Sequence, residues 1–358
     1  MATKFQEKLE FLDILKQSAR LLRCNTSLLI WVFFSSVPLF SFLIFFELSL
    51  QNTLYHASLY LSRHQRYSSW SYYYYSYGKS MPGSGGAVVW PMFQTCLLYL
   101  FPYQFLNLFT TTTVVAASSA VYTSDEPMGL PILARRSVEI CRNRLRGCLI
   151  TSLYVLLFST SVLFGFIFTA TNYYYWAFLF GQYDYSYVLI DLHGEESYHY
   201  NWPYGQGDLT KLLLHISVVL LHGAAFVVLS AKLSKWSAGW NMGLVVSVLE
   251  VGSEEEAVYG SDALSLSACY GRGHERQGLW LMLVFFVNAL VLRLPCFYSD
   301  CSASRTGVYY TCAYAGLICA GNAFKWVACV LFYHESRTRA LKKKADLEVG
   351  AKGYTESS

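Results

Sequence analysis

The stretch SLLIWVFFSSVPLFSFLIFFELSL, residues 27–50, decides the fold class, because Glu47 is its one charged residue in 24 positions. The hydrocarbon core of a bilayer is about 30 Å thick, and a helix needs about 20 apolar residues to cross it. The run is too long for the apolar part of a cleavable signal, and no small-residue cleavage pattern follows it. We therefore expect it to be retained as the first transmembrane helix.

The rest of the chain has the same character, since 54% of its 358 residues are hydrophobic and 14% are charged. Soluble domains carry about 25% charged residues. Five further apolar segments lie near residues 88–121, 147–169, 211–230, 278–294 and 309–333. The sequence predicts an all-α integral membrane protein with about six transmembrane helices. The net charge of +4 gives no reason to expect direct nucleic-acid binding, and without a phosphate loop or zinc-type pattern we expect no cofactor and no metal.

Two of the segments are irregular. The second is longer than one straight crossing needs, and we expect Pro91 and Pro102 to bend or break it, because proline removes a backbone donor. The fourth runs on into WSAGWNMGLVVSVLE, residues 236–250. We interpret this extension as a continuation bent at Gly239 or lying along the inner face of the membrane.

Basic residues predict the orientation. The N-terminal arm, the second and fourth connections and the C-terminal tail together hold 20 of the 27 Lys and Arg residues, whereas residues 172–210 hold none. Cytosolic flanks of transmembrane helices accumulate Lys and Arg. The distribution therefore predicts that the N- and C-termini are both cytosolic, and we expect an endomembrane location, in the endoplasmic reticulum, the Golgi or the plasma membrane.

Tyrosines mark the opposite side. Residues 51–89 and 171–210 hold 17 of the 29 tyrosines, among them those of WSYYYYSYGKS, residues 70–80. Tyrosine favours the headgroup layer, where its ring meets apolar matter and its hydroxyl meets water. The pattern indicates an interfacial belt. A surface that binds sugars or lipid headgroups is the alternative, and the spacing does not separate the two.

A short amphipathic stretch precedes the first, third and fifth spans, and each contains a serine: Ser18, Ser137 or Ser267. Such basic amphipathic helices are expected to lie in the membrane interface. The pattern predicts three units of amphipathic helix plus helical hairpin, at 5–122, 127–250 and 258–333. Together they form one membrane domain, 1–335, followed by a basic cytosolic tail, 336–358, that we expect to be disordered.

Several short stretches carry a resemblance. They are FLDIL at 11–15, AVYTSDEPMGLPILARRSVEICRNRL at 120–145, VVSVLE at 245–250 followed by GSDALSLS at 260–267, and FYHESR at 332–337. Their combination resembles a plant family of multi-pass membrane proteins, some of which are named as partners of a poly(A)-binding protein. It is similar, more distantly, to the membrane region beside some bacterial glycerophosphodiester phosphodiesterases. The resemblance implies an architecture and no catalytic residues.

Five arginines are the candidate interaction surface: Arg135, Arg136, Arg142, Arg144 and Arg146. They share a helix with a continuous apolar face, a composition suited to the anionic cytosolic leaflet of the lipid bilayer. A protein partner on the cytosolic face is also possible. The alternative is that these arginines only set the topology.

Polar residues within the spans form a second candidate set: Gln104, Asn107, His222, Asn322 and Lys325. Polar groups in lipid are costly, and they mark either hydrogen bonds between helices or a solute pathway. A coupled transporter would more often show midplane carboxylates or broken helices at matching places in its repeats. The sequence indicates neither.

Cys296 and Cys301 share the short fifth connection, outside the cytosol in this topology, and we expect a local disulfide between them. No nucleophile with a neighbouring base can be argued from any cysteine, so we expect no enzymatic activity. The leading hypothesis is a non-enzymatic membrane protein for membrane organisation, trafficking or partner recruitment. A small-solute transporter or channel lined by the intramembrane polar residues is the alternative.

Overall fold

The computed structural model describes the backbone of residues 2–74, 86–124, 128–190, 207–250, 258–298 and 305–355, and side chains within 11–54, 89–124, 128–176, 213–250, 258–294 and 307–343. Every element in these ranges is a helix. In chain order they are α1 (Ala2–Cys24), α2 (Thr26–Tyr74), α3 (Gly86–Leu98), α4 (Gln104–Thr123), α5 (Leu130–Ile190), α6 (Gly207–Leu249), α7 (Ser261–Gly271), α8 (Glu275–Tyr298) and α9 (Arg305–Thr355).

Six stretches are long and apolar enough to cross a membrane: Thr26–Leu54, Val89–Thr123, Leu130–Trp176, Leu213–Leu249, Glu275–Leu294 and Gly307–Lys343. They coincide with the six predicted segments and extend most of them. The prediction of an all-α, multi-pass integral membrane protein is confirmed. Several stretches are longer than the roughly 20 residues of one crossing, so the bundle continues beyond the hydrocarbon layer.

The first amphipathic stretch is a separate helix because Asn25 ends it. The Asn25 side-chain amide donates to the Leu21 carbonyl at 3.0 Å, and the Asn25 carbonyl accepts from the Leu29 amide at 3.0 Å. One residue thus satisfies the last turn of α1 and begins α2. The third stretch, α7, is likewise separate from α8, across residues 272–274.

The second span is irregular where Pro102 lies, as predicted. A five-residue π-helical turn, Tyr99–Tyr103, joins α3 to α4 and contains this proline. Proline cannot donate an amide hydrogen bond, and a widened turn accommodates the missing bond without ending the helix. Pro91, by contrast, lies inside α3 without breaking it.

The largest cluster of buried apolar side chains lies where the C-terminal parts of α4 and α6 meet the middle of α9. It contains residues 114–117 of α4, most of 242–248 of α6 and 326–333 of α9. Helices α1, α5, α7 and α8 contribute Ile14, Leu133, Ala263 and Leu281 to the same cluster. We call this end of the bundle, formed by α1, residues 130–146 of α5, 236–250 of α6, α7 and 326–343 of α9, the basic end.

Two expectations differ from the structure. The arginine-bearing stretch is the first part of the 61-residue helix α5, not a separate interfacial helix, because no breaker separates residues 130–146 from the span. Leu133, Ser137 and Cys141 on this stretch are buried against the bundle. The tail expected to be disordered continues α9 as helix to Thr355, since it contains no proline and favours helix through its Ala, Lys, Leu and Glu residues.

Helices α5 and α6 present apolar side chains outward. On α5 the exposed side chains Leu149, Leu153, Leu157, Phe164 and Phe168 cover about 28 Å of helix at 1.5 Å per residue. Tyr173 to Trp176 follow directly and are also exposed. The order of apolar and then aromatic side chains is typical of a lipid-facing helix with an interfacial aromatic girdle.

Candidate functional site

Glu250, at the end of α6, is the centre of the basic end. Its carboxylate is 8% exposed and accepts hydrogen bonds from the Tyr333 hydroxyl at 2.5 Å and the Tyr270 hydroxyl at 3.2 Å. The Arg337 Nε atom lies 2.9 Å from the same carboxylate. The Glu250 backbone carbonyl accepts from Arg144 Nη1 at 3.3 Å. One residue therefore ties α5, α6, α7 and α9 together.

The surroundings of Glu250 change the pKa of Tyr270. Burial and then the neighbouring Glu250 carboxylate raise the pKa of Tyr270 above its ordinary value. The hydroxyl therefore remains a hydrogen-bond donor over a wider pH range than that of a free tyrosine. The contact fixes α7 to the end of α6.

A second polar contact joins α4 to α9 at the basic end. The Ser119 hydroxyl lies 3.1 Å from His334 Nε2, and the Tyr122 and His334 rings stack at 4.9 Å. His334 borders a cleft of about 450 Å³ that also contains Asp13 and Lys342. Cations and anions both line this cleft, so it has no marked selectivity for either sign.

The five predicted arginines divide into two groups. Arg144 is half-buried and bound to Glu250, so it fixes the arginine-bearing part of α5 to the bundle. Arg135, Arg136, Arg142 and Arg146 are exposed. At 3.6 residues per turn, Arg135, Arg142 and Arg146 lie within about 40° of one another around α5. We call these three residues the arginine stripe.

The arginine stripe continues the lipid-facing surface of the same helix. Leu153 and Leu157 lie within about 60° of the stripe around α5, and both side chains are more than half exposed. Arg146 precedes Leu153 by about 10 Å along the axis. Guanidinium groups thus follow apolar side chains on one outward face, an order that suits the boundary between hydrocarbon and headgroups.

A cluster of paired side chains that the sequence analysis did not predict lies at the opposite end of the bundle. Glu47 of α2 is 3% exposed and is paired with Arg293 of α8. The Tyr314 hydroxyl of α9 donates to Glu47 Oε2 at 3.0 Å and accepts from Gln51 Nε2 at 3.1 Å. A buried carboxylate in a span requires such a partner, because an uncompensated charge is costly there.

The structure does not bring the predicted intramembrane polar set together. Asn322 Nδ2 donates to Asn107 Oδ1 at 3.2 Å, which joins α9 to α4. His222 lies on α6, 2.8 Å from the carbonyl of Val218, and its ring packs edge-on against Tyr173. Lys325 Nζ lies 4.5 Å from the ring centroid of Trp326. Gln104 begins α4 directly after the π-helical turn. These contacts are mostly local or pairwise.

The predicted Cys296–Cys301 disulfide lies outside the residues whose side chains the structure describes. Within the described part of the chain, Cys24, Cys96 and Cys269 are exposed free thiols, and Cys148 and Cys329 are buried ones. No group of three or more His, Cys, Asp or Glu side chains in that part could hold a metal ion.

The sequence analysis did not predict either carboxylate cluster, although the sequence contains an indication of each. Glu47 and Arg293 are opposite charges near one end of two apolar runs, and intramembrane charges are expected to pair. Glu250, Tyr333 and Arg337 all lie within the short stretches that carry the family resemblance. Neither signal identifies the partner, because the helices concerned are far apart in the chain.

Comparison of the chain with family models, with curated proteins and with solved structures finds no match.

Proposed function

We propose that the protein is a non-enzymatic membrane scaffold whose basic end lies in the cytosol and contacts the anionic leaflet through the arginine stripe. It would serve membrane organisation, trafficking or the recruitment of a protein partner in the endomembrane system. The observation that carries the proposal is the position of the arginine stripe, exposed and in line with the lipid-facing side chains of α5.

Electrostatics supports the contact. A basic side chain near an anionic leaflet contributes about 1 kcal/mol, and the effect fades within a Debye length of about 8 Å. Arg146 and Arg142 are about 6 Å apart along the helix axis, and Arg135 lies about 10 Å further from the apolar stretch. The attraction of a single residue therefore decreases from Arg146 to Arg135, and Arg135 and Arg136 can also contact a protein partner.

The orientation rests on the distribution of charge. Arginines 135–146, Lys232, Lys235 and the basic residues of α9 after Tyr333 all belong to the basic end or border it. At the other end, residues 172–210 follow the third crossing and precede the fourth, and they contain tyrosines and no basic side chain. The positive-inside tendency favours the basic end in the cytosol, which would place both termini there.

The three-unit arrangement is part of the proposal. Ser18, Ser137 and Ser267 are all at most 2% exposed. Each hydroxyl donates to a carbonyl of its own helix, those of Ile14, Leu133 and Leu264, at 2.7–2.8 Å. The similar burial of the three serines supports three related units, although Ser267 bonds to the carbonyl three residues earlier and the other two to the carbonyl four residues earlier. Arg144, Glu250 and Tyr333 come from three of the stretches that resemble the plant family, and they meet at the basic end.

The test compares three variants of the full-length protein in cells, assayed for localisation and for rescue of a knockout phenotype. The first replaces Arg135, Arg136 and Arg142 by glutamine and leaves Arg144 and Arg146 in place. The second places lysine at the same three positions and preserves the charge. The third replaces Gln104, Asn107 and His222 by leucine.

We expect the glutamine variant to fail, and the lysine and leucine variants to work. The lysine variant should work because leaflet attraction requires charge and not the guanidinium shape. If the glutamine variant rescues fully, while the leucine variant is inserted, stable and inactive, the scaffold proposal is wrong.

A small-solute transporter or channel is the second candidate, and one observation favours it. Two buried polar atoms beside Glu47, Arg293 Nε and Gln51 Oε1, have no hydrogen-bond partner among the described residues. The π-helical turn packs against the same part of α2, where Tyr103 stacks on Phe46 at 5.6 Å. Polar residues within spans mark solute pathways, and π-helical turns occur frequently at functional sites. Glu47→Gln should abolish transport and spare localisation if this candidate is correct.

A further inference from the structure

A cleft of about 310 Å³ lies between α6, α7 and the start of α8, on the side of the basic end that adjoins the apolar surface of α5. Its size is at the lower limit of small-molecule pockets, which measure about 300–1,000 Å³. The cleft therefore suits a headgroup and the first part of a chain, not a whole lipid.

The floor of the cleft consists of small residues held in place. Gly239 and Gly271 line it, and a Cβ atom added to either would meet no atom within 4 Å. The Ser267 hydroxyl lies 3.1 Å from the Gly239 carbonyl and 2.8 Å from the Leu264 carbonyl, so it can donate to either, and the contact with Gly239 holds α7 against α6. The packing of α7 against α6 therefore fixes the open space next to Gly239.

Aromatic rings form the wall. Phe158 and Trp240 stack with centroids 5.9 Å apart, and Trp236 lies 6.3 Å from Trp240. Phe158 is 41% exposed and Trp236 is 45% exposed. Phe158 belongs to the outward apolar surface of α5, so the cleft opens toward lipid. Tryptophan favours the headgroup layer, which places the cleft at the level of the membrane interface.

The mouth of the cleft carries one cation and one anion. Lys235 Nζ and Glu275 Oε2 are 2.5 Å apart, and both side chains are more than half exposed. An exposed ion pair contributes little net free energy, so separating Lys235 from Glu275 costs little. A ligand with both charges can then pair its anion with Lys235 and its cation with Glu275. A ligand with only an anionic group would be repelled by Glu275, and a ligand with only a cationic group would be repelled by Lys235. Charge complementarity favours a zwitterion.

We propose that this cleft binds one zwitterionic phospholipid, phosphatidylethanolamine in type. Its phosphodiester pairs with Lys235, its ammonium pairs with Glu275, and the start of its acyl chains packs on Phe158 and Trp240. The site is separate from the arginine stripe and takes a different class of lipid, so it goes beyond the proposed scaffold function.

Native mass spectrometry of the delipidated full-length protein tests this site. Phosphatidylethanolamine, phosphatidylglycerol and diacylglycerol with identical chains are titrated separately, and the first retained lipid is quantified. We expect the wild type to retain phosphatidylethanolamine at a concentration at least tenfold lower than diacylglycerol, which lacks both charges. Phosphatidylglycerol can also bind the arginine stripe, so we expect its retention to be the same in the wild type and in Gly239→Leu. Equal retention of diacylglycerol, or an equal loss of phosphatidylglycerol and phosphatidylethanolamine in Gly239→Leu, would overturn the proposal.

Two glycine variants on α6 locate the lipid. Gly239→Leu fills the cleft, and Gly223→Leu is the matched control, because a Cβ there also meets no atom within 4 Å and Gly223 lies outside the cleft. Leucine favours helix over glycine, so neither change should unfold α6. We expect Gly239→Leu to lose at least tenfold in affinity and Gly223→Leu to match the wild type.

A charge variant checks the assignment without filling space. Lys235→Gln removes the partner of the phosphate at an exposed position, and we expect a three- to tenfold loss for phosphatidylethanolamine with no change for diacylglycerol. If Gly239→Leu or Lys235→Gln retains phosphatidylethanolamine as the wild type does, the lipid lies elsewhere and the proposal is wrong.

Discussion

Replacing Glu250 by glutamine should destabilise the basic end more than any other single loss of a charge there. The carboxylate accepts from two tyrosine hydroxyls and pairs with Arg337. Hydrogen bonds to a charged group contribute about 1.5–3 kcal/mol each, and neutral ones about 0.5–1.5 kcal/mol. The Arg337 side chain is 43% exposed, so its pairing is screened and adds at most about 1 kcal/mol.

Both tyrosine hydroxyls donate to Oε1, and glutamine keeps this oxygen as a carbonyl, so both bonds survive in a neutral, weaker form. Each bond loses about 1–1.5 kcal/mol, and the charge of the ion pair is lost as well. The sum is a decrease of about 2–4 kcal/mol in the free energy of unfolding. The assay is equilibrium unfolding of the purified protein in mixed micelles, followed by circular dichroism.

Glu335→Gln is the matched control, because Glu335 forms an exposed pair with Arg339 one turn away on the same helix. Such pairs contribute about 0.3–0.5 kcal/mol. The double variant Glu250→Gln/Tyr333→Phe measures whether the tyrosine acts through the carboxylate, in which case the two losses are less than additive. If Glu250→Gln costs no more than Glu335→Gln, Glu250 does not organise the basic end.

Other outcomes follow from the same contacts. Arg293→Met alone leaves the buried Glu47 carboxylate without its half-exposed cation and should cost about 1–3 kcal/mol in unfolding free energy, whereas the double variant Arg293→Met/Glu47→Leu should recover most of it; equal losses would contradict the pairing. Because the pKa of Tyr270 is raised in the folded protein, its contribution is complete below about pH 10, the ordinary tyrosine value, and falls at higher pH. Thermal unfolding of Tyr270→Phe should therefore depend less on pH above that value, and an unchanged pH dependence would reject the assignment. Protease protection should find tags at both termini on the cytosolic side, and a protected tag would reverse the orientation. Non-reducing mass spectrometry should find Cys296 linked to Cys301, and free thiols at both would reject that pairing.

The six spans could be predicted from the sequence because each is a local property. The run at 27–50 needs no partner to be recognised, since its length and lack of charge meet the demands of a bilayer. Pro102 could be predicted to disturb the second span for an equally local reason, the missing amide hydrogen. The structure adds the form of the disturbance, a π-helical turn.

The contacts at Glu250 and Glu47 could not be predicted, because they join residues far apart in the chain. Tyr333 lies 83 positions from Glu250, and Arg293 lies 246 positions from Glu47. The spacing of apolar residues indicates which face of a helix is apolar. It does not indicate which other helix packs against that face. The same limit explains α5, where the apolar face expected to lie on lipid is partly buried by the bundle at Leu133 and Cys141.

The five arginines show both what could be predicted from the sequence and what could not. Their number and spacing on one helix are visible in the sequence. The role of Arg144 depends on the Glu250 carbonyl, which only the folded arrangement of α5 and α6 supplies. The exposure of Arg135, Arg142 and Arg146 is likewise a result of which side of α5 the bundle covers.

The most direct test of the proposed scaffold function measures lipid selectivity at the protein surface. The full-length protein is reconstituted in bilayers that contain either spin-labelled phosphatidylserine or spin-labelled phosphatidylcholine, and electron spin resonance gives the fraction of each lipid held at the protein. We expect the wild type to prefer phosphatidylserine, the preference to fall toward equality in the Arg135→Gln/Arg136→Gln/Arg142→Gln variant, and the lysine variant to retain it. An equal association of both lipids with the wild type, or an unchanged preference in the glutamine variant, would contradict the account.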